Sequence, residues 1–408
     1  MLATMMVQAV LAVNLFALPV VVPRAAEQIG VAASWIGVYS AVVFGCAVLS
    51  SLAAGGPVRR WGAMRTSQLC LVLGAGAGLA GSGPLALIVL AAVALGLAFG
   101  PETPAASHLL ARVTTSRSRP LVFSVKQIGL QLGGIGAGLL FPPMLEVFGW
   151  KAVLIGAGAL SLVAAAILEP LHRRYDTDRD PSTKVRIAAV GQALKLVGRS
   201  SNGLRELAVA GFCFSALQQC LNTFLVVHLV GNLGQPLAVA GMALAIAQVS
   251  GVVMRVGVAV MADSLLATRW LLVMLGGTMT LAALGLVVAH ADWSQAAIFA
   301  VCGLFGLSAT GWQGIYLAEV ARLAPANRAS VATGGIVAAS YGGLVFGPLM
   351  FGAMVGAGLD YALGYFAMAI LSALGSLALA VGRAGAPAPG RLADEAGPLG
   401  GVPPKNPG

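Results

Sequence analysis

The chain has 408 residues, enough for two or three soluble domains, yet 58% of them are hydrophobic and only 9% are charged. A soluble globular chain carries about 25% charged residues, so a water-soluble fold is excluded. The net charge of +10 needs no nucleic-acid partner, because the basic residues are segregated between apolar runs.

A membrane span needs about 20 mostly apolar residues. Twelve such runs follow in chain order: 4–22, 33–54, 66–82, 85–110, 121–144, 152–170, 207–230, 237–262, 270–289, 296–319, 329–355 and 360–382. We call them spans 1 to 12. Span 1 lacks a basic flank and a small-residue cleavage site, so it reads as a retained span rather than a signal peptide. Span 3 is short and Gly-rich and gives the weakest signal.

The gaps alternate in charge. Arg59, Arg60 and Arg65 follow span 2; Arg112, Arg117 and Arg119 follow span 4; a long gap with eight Lys and Arg follows span 6. Arg269 follows span 8, Arg322 and Arg328 follow span 10, and Arg383, Arg391 and Lys405 lie in the tail. Of the 24 Lys and Arg, 20 lie in these gaps or the tail, Arg24 and Lys151 lie in the others, and Lys126 and Arg255 lie inside runs. Lys and Arg stay preferentially on the cytoplasmic side. Both termini are therefore expected in the cytoplasm, with the chain in the cytoplasmic (inner) membrane.

The expected fold is an all-α membrane protein of twelve transmembrane helices in two pseudo-symmetric six-helix halves. The divisions are an N-terminal half at 1–170, a cytoplasmic linker at 171–206, a C-terminal half at 207–382 and a disordered tail at 383–408. The linker start, His172 to Arg179, reads as solvated. From Lys184 to Val197, apolar residues at Ile187, Val190, Leu194 and Val197 suit a helix lying on the membrane surface or a plain linker helix. The halves echo one another. Span 4 ends Leu110-Ala111-Arg112-Val113 and span 10 ends Val320-Ala321-Arg322-Leu323. Span 5 carries Gly129-x-x-x-Gly133-Gly134, and span 11 carries Gly343-x-x-x-Gly347-Pro348. Such repeats suggest a transporter that binds its substrate between the halves.

At this point the chain resembles the major facilitator superfamily of secondary transporters over nearly its whole length. The family's loop between spans 2 and 3 reads G-x-x-x-D-R-x-G-R. Here Gly55-Gly56-Pro57-Val58-Arg59-Arg60-Trp61-Gly62-Ala63 keeps the Gly residues and Arg60 but replaces the Asp by Arg59. The resemblance implies a cytoplasmic latch. With that Asp missing, the equivalent loop after span 8 supplies Asp263, with Arg255 two helical turns before it. Arg60, Arg255 and Asp263 are thus the expected gating residues. Span 4 keeps Gly96 and Pro104 of the family's pattern but has Ala92 at the Arg linked with proton coupling in some members. Gly100-Pro101-Glu102-Thr103-Pro104-Ala105, Lys126-Gln127-Ile128-Gly129 and the Gly311 to Glu319 segment give a closer similarity to bacterial anion or cyanate-like permeases.

Ionisable residues inside a span are rare, and they face partners or wet cavities. Lys126 and Glu102 sit at similar depth on spans 5 and 4. They are either an anion-binding cation with its holding carboxylate or a permanent structural pair. Gln127 and Gln131 flank Lys126. Arg255 is close enough to the span end to snorkel to the headgroups, and a structural tie to Asp263 or to the first half is expected of it ahead of substrate binding. Trp312 and Tyr316, four residues apart on span 10, share a helix face that continues to Glu319; with Gln313 they form either an aromatic–amide substrate wall or helix packing. Gln218 and Asn222 on span 7, Asn14 on span 1 and Tyr341 on span 11 complete the candidate substrate site. No cofactor, metal cluster, P-loop or catalytic constellation is legible, and the five Cys read as buried hydrophobes.

The expected function is alternating-access transport of a small organic anion, such as a monocarboxylate, by a monomer in the lipid bilayer, with a possible coupling proton. The alternatives are efflux of an apolar drug-like compound and a non-transporting membrane sensor.

Overall fold

The computed structural model describes residues 1–115, 119–182, 203–260, 268–323 and 329–382. Among them the regular elements are helices, with no strand. Span 1 is Leu2–Ile29, span 2 is Ile36–Ala53 and span 4 is Leu85–Val113. In the second half the helices are Leu204–Gly231, Leu237–Val260, Thr268–Val288, Gln295–Leu323, Ala329–Gly356 and Tyr361–Val381, spans 7 to 12 in order. Asp263, the Lys184 to Val197 segment and the tail from Gly385 lie outside the described residues.

Spans 5 and 6 form one helical run, Arg119–Tyr175, broken at Gly149 with φ 76° and ψ 164°. That conformation is open to Gly and strained for a side chain, which places the reversal where the sequence leaves a gap. Span 3 is an α-helix, Ala63–Gly74, that tightens into a 3-10 stretch, Ala75–Ser82. Its glycines explain both the weak signal and the tightening. They lower helix propensity, and they admit span 6 to close range. A Cβ on Gly81 would stand 2.6 Å from the Lys151 carbonyl oxygen at the start of span 6. Ten described helices are long and apolar enough to cross a membrane, spans 5 and 6 counting as one and span 3 falling short. The chain is thus a multi-pass membrane protein of twelve helices in two six-helix halves.

The Gly-x-x-x-Gly echoes have equivalent jobs. Cβ atoms on Gly129 and Gly133 would lie 2.6 and 2.5 Å from the carbonyl oxygens of Met5 and Ala9 in span 1. On Gly347 one would lie 2.6 Å from the Ala216 oxygen in span 7, and Gly343 is pressed against Phe212 of the same helix. With no water to squeeze out, membrane helices gain attraction by close backbone approach, which small residues permit. Between the halves, Gly37 of span 2 meets Pro348 and Gly352 of span 11, and Gly138 of span 5 meets Gly241 of span 8. Both of these contacts between the halves lie toward the ends opposite the basic loops. Among the described residues, the close backbone approaches between the halves are therefore at that face.

At the basic face most of the linker start, His172 to Arg179, is exposed as the sequence suggests, with one exception. Asp176 is buried, and its carboxylate accepts from the Met64 and Arg65 amides at 2.8 Å each. A carboxylate over the free N–H groups of a helix start is favourable, so Asp176 caps span 3 from outside the helix. Gly62, φ 100°, leaves it room. Asp178 pairs with His108 at 2.7 Å and with Arg112 at the end of span 4. The Asp180 amide donates to the Arg59 carbonyl at 2.7 Å. The segment is a strap across the first half.

Candidate functional site

Lys126 donates to Glu102 Oε2 at 2.9 Å, and Thr103 Oγ1 donates to the same oxygen at 3.0 Å. Both charged side chains are about 3% exposed. Glu102 Oε1 is buried without a partner. The equal depth expected from helix rise is thus realised as direct contact. Such a pair stabilises each charge against an interior that would otherwise expel it. The vacant lone pairs on Oε1 leave room for a proton or another donor.

Arg255 is arranged differently. Its guanidinium does not run out to the headgroups as snorkelling would require. Nε donates to the Thr310 carbonyl at 3.0 Å and Nη2 donates to Gln313 Oε1 at 2.7 Å. Gln131, fully buried, reaches it from the first half. With its amide oriented by its neighbours, Gln131 accepts from Arg255 Nε at 3.1 Å and donates to the Gln127 carbonyl at 2.8 Å. Among the described residues no carboxylate pairs with Arg255. A cation held only by neutral acceptors is compensated for hydrogen bonds and not for charge.

An amide chain runs on from this point. Gln218 Oε1 accepts from Trp312 Nε1 at 3.1 Å and from Gln313 Nε2 at 3.4 Å, and Gln248 Nε2 donates to Asn222 Oδ1 at 3.1 Å. Gln127 Oε1 accepts from Gln8 at 2.8 Å. Gln131 of span 5 therefore meets Arg255, Gln313 and Gln218 from spans 8, 10 and 7, while the side chains of Lys126 and Gln127 bond to Glu102 and Gln8 within the first half. Gln219 and Thr223 meet Ser40 of span 2 across the halves at 3.2 Å each, beside a narrow cavity lined by Phe16, Tyr39 and Asn222.

Other candidates point elsewhere. Trp312 and Tyr316 do share a face, their rings 4.9 Å apart, but both are buried in the second half, where the Tyr316 hydroxyl donates to the Leu207 carbonyl at 3.0 Å. Asn14 donates to Ser161 Oγ at 2.8 Å inside the first half. Tyr341 lies beside Ser51 of span 2 and within the field of Glu102. Arg60 is exposed at the basic face. Glu319 is buried and holds Arg322 with two bonds of 2.8 and 2.7 Å. Sequence reasoning missed Gln8, Ser40, Gln248's bond to Asn222 and the Asp176 cap. Gln8 and Gln248 are in-span amides, a signal the sequence carried. The cap carried none, since it joins residues 112 apart.

The family model of the major facilitator superfamily matches residues 3–348. The chain belongs to the major facilitator superfamily. Among solved structures, the nucleoside transporter NupG superposes with a TM-score of 0.74 at 13% identity, covering 93% of this chain and 99% of that one. The peptide transporter POT gives 0.71 at 14% identity, covering 94% and 95%. A bacterial homolog of the human lysosomal transporter Spinster, inward-facing and unoccupied, gives 0.70 at 15%, covering 93% and 96%. At these identities the likeness carries the fold alone. No curated protein matches the sequence. Family and neighbours are those of transporters of small molecules.

Proposed function

We propose that this superfamily member moves a small organic anion, such as a monocarboxylate, between its halves by alternating access. The observation that carries the reading is Arg255, a cation inside the bundle whose partners are neutral. Arg presents a planar fork that fits a carboxylate in a bidentate way. A bound carboxylate supplies the missing charge and draws on Arg255 from the second half and Gln131 from the first.

Lys126 is a second cation, already neutralised by Glu102. A proton taken by Glu102 frees Lys126 to face the anion, so that one proton and one monovalent anion move together without net charge. Gln127, Gln218, Asn222 and Gln313 shape the site, and Trp312, Tyr316, Asn14 and Tyr341 support it from the packing of their own halves. Arg60 and Asp263, with Arg255 also moving between partners, serve the gating at the basic face. Basic-loop asymmetry supports a cytoplasmic membrane location with both termini inside. The protein works as a monomer of two rocking halves, 1–170 and 207–382, joined by the linker at 171–206, with the tail at 383–408 taking no part.

The test is uptake of labelled monocarboxylates into proteoliposomes. Arg255→Gln lowers uptake about a hundredfold, and Lys126→Gln reduces it and removes its dependence on a proton gradient. Full uptake by Arg255→Gln would refute the anion site.

A further inference from the structure

Another buried ionisable group lies away from both cations. His228 sits near the end of span 7 opposite the basic loops, is fully buried, and has no hydrogen-bond partner at either ring nitrogen. The Tyr365 hydroxyl of span 12 is buried and unpartnered as well, and the two ring centroids are 5.2 Å apart. A polar group left unpaired in an apolar interior is destabilising. Two in one cluster mark a place where a proton gains a basic nitrogen and a hydroxyl to share it.

The groups facing His228 from each packed element bear this out. Tyr361 of span 12 lies with its ring 5.8 Å away. Cys220 of span 7 and Cys302 of span 10 act on the Tyr365 side of the cluster. The Leu286 carbonyl of span 9 lies nearby without making a hydrogen bond, and Asp360, just before span 12, is the one carboxylate acting on the ring. Cys and Tyr are neutral at ordinary pH, so Asp360 alone brings charge. Asp360 is exposed and caps span 12 by accepting from the Ala362 amide at 3.0 Å.

The cluster stands directly behind the contact between the halves. Tyr365 meets the Phe351 ring edge-on at 5.0 Å, and Phe351 stacks on Phe224 at 4.2 Å. Phe351 is flanked on span 11 by Pro348 and Gly352, which press on Gly37, and a Cβ on Gly352 would lie 2.8 Å from the Ser34 carbonyl oxygen. We infer that His228 is a proton-binding site that controls the contact between the halves at the face opposite the basic loops. A proton arriving past Asp360 is taken by the imidazole. The imidazolium draws in water that the aromatic packing excludes, and Phe351 moves with span 11 off Gly37.

The experiment reads opening without a substrate, so its outcome is independent of the anion reading. Ser34, buried under this contact, is changed to Cys in the full chain. Its alkylation by an impermeant maleimide is followed by peptide mass spectrometry between pH 8 and about 5, spanning the ordinary His range, relative to Ser82→Cys, exposed on the same face. The ratio is expected to rise about tenfold per pH unit through the His228 titration and to stay flat in His228→Leu. Asp360→Asn and Tyr365→Phe, which keep the cap and the ring, move the rise to lower pH and test the site even if His228→Leu fails to fold. A flat ratio in the parent, or an unchanged rise in His228→Leu or in both milder variants, would overturn it.

Discussion

Two cations sit inside this bundle, and the protein treats them in opposite ways. Lys126 has Glu102 at 2.9 Å and a neighbouring Thr103 hydroxyl, so its charge is balanced when the site is empty. Arg255 has a carbonyl, a glutamine of its own half and a glutamine of the other half, all neutral. The first arrangement keeps a buried charge balanced and leaves a carboxylate oxygen that can take a proton. The second leaves a charge without a counter-charge among the described residues, which is the opening the proposed anion would fill. The difference teaches that an in-span cation is informative through its partners more than through its depth.

The largest expected effect breaks the balanced pair. Glu102→Gln leaves Lys126 buried without its counter-charge and lowers folding stability by about 3–5 kcal/mol. Glu102→Gln with Lys126→Met restores most of it, since an apolar replacement of the whole pair is near neutral. Chemical denaturation in detergent reads both. A double variant no more stable than the single one would contradict the pairing.

The next prediction concerns the unbalanced cation. Arg255→Gln lowers anion uptake about a hundredfold, the scale of losing a buried charge-assisted contact. It leaves the melting temperature unchanged or raised, because no charge partner is orphaned. Arg255→Lys keeps the charge but loses the fork, and falls between the two. A melting temperature that drops as far as for Glu102→Gln would place Arg255 in a structural role like that of Lys126.

Much of this contrast was legible beforehand, and the rest was not for identifiable reasons. The twelve spans, the gap between the runs 121–144 and 152–170 and the Lys126–Glu102 pair follow from hydropathy and helix rise, both of which are local; that the chain reverses at Gly149 came from the structure. The partners of Arg255 are not local. Thr310 and Gln313 come from span 10 and Gln131 from span 5, so the sequence allows a tie from Arg255 to the first half without naming its partner, and the thought of snorkelling drew only on its distance from the span end. The Asp176 cap is likewise long-range. Trp312 and Tyr316 show the limit of periodicity, which puts them on one face but does not say whether that face meets the path or another helix.

Smaller effects sharpen the two-half comparison. Gly133→Leu and Gly347→Leu sit at equivalent close approaches in the two halves and each costs about 1–3 kcal/mol by overpacking. A thermal melt in which only one of them is destabilised would argue against equivalent packing. The smallest effect is at the strap. Burial pushes the Asp178 carboxyl up, but the hydrogen bond from His108, its own backbone contact and the charge of Arg112 outweigh that and hold it below the usual carboxylate range. A lowered folded value contributes stability above the unfolded value of about 3.9, lost as pH falls through the folded one. Asp178→Asn therefore costs under about 1 kcal/mol near pH 7, as exposed pairs do, and nothing once the pH is below both values.

The most direct test of the central claim is ligand-induced stabilisation of the purified protein by a panel of monocarboxylates and uncharged solutes, in the parent chain and in Arg255→Gln. Binding to the folded state raises the melting temperature. The account predicts a rise with at least one carboxylate, none with the uncharged solutes, and no response in Arg255→Gln. The same rise in Arg255→Gln, or a response confined to uncharged solutes, would contradict it.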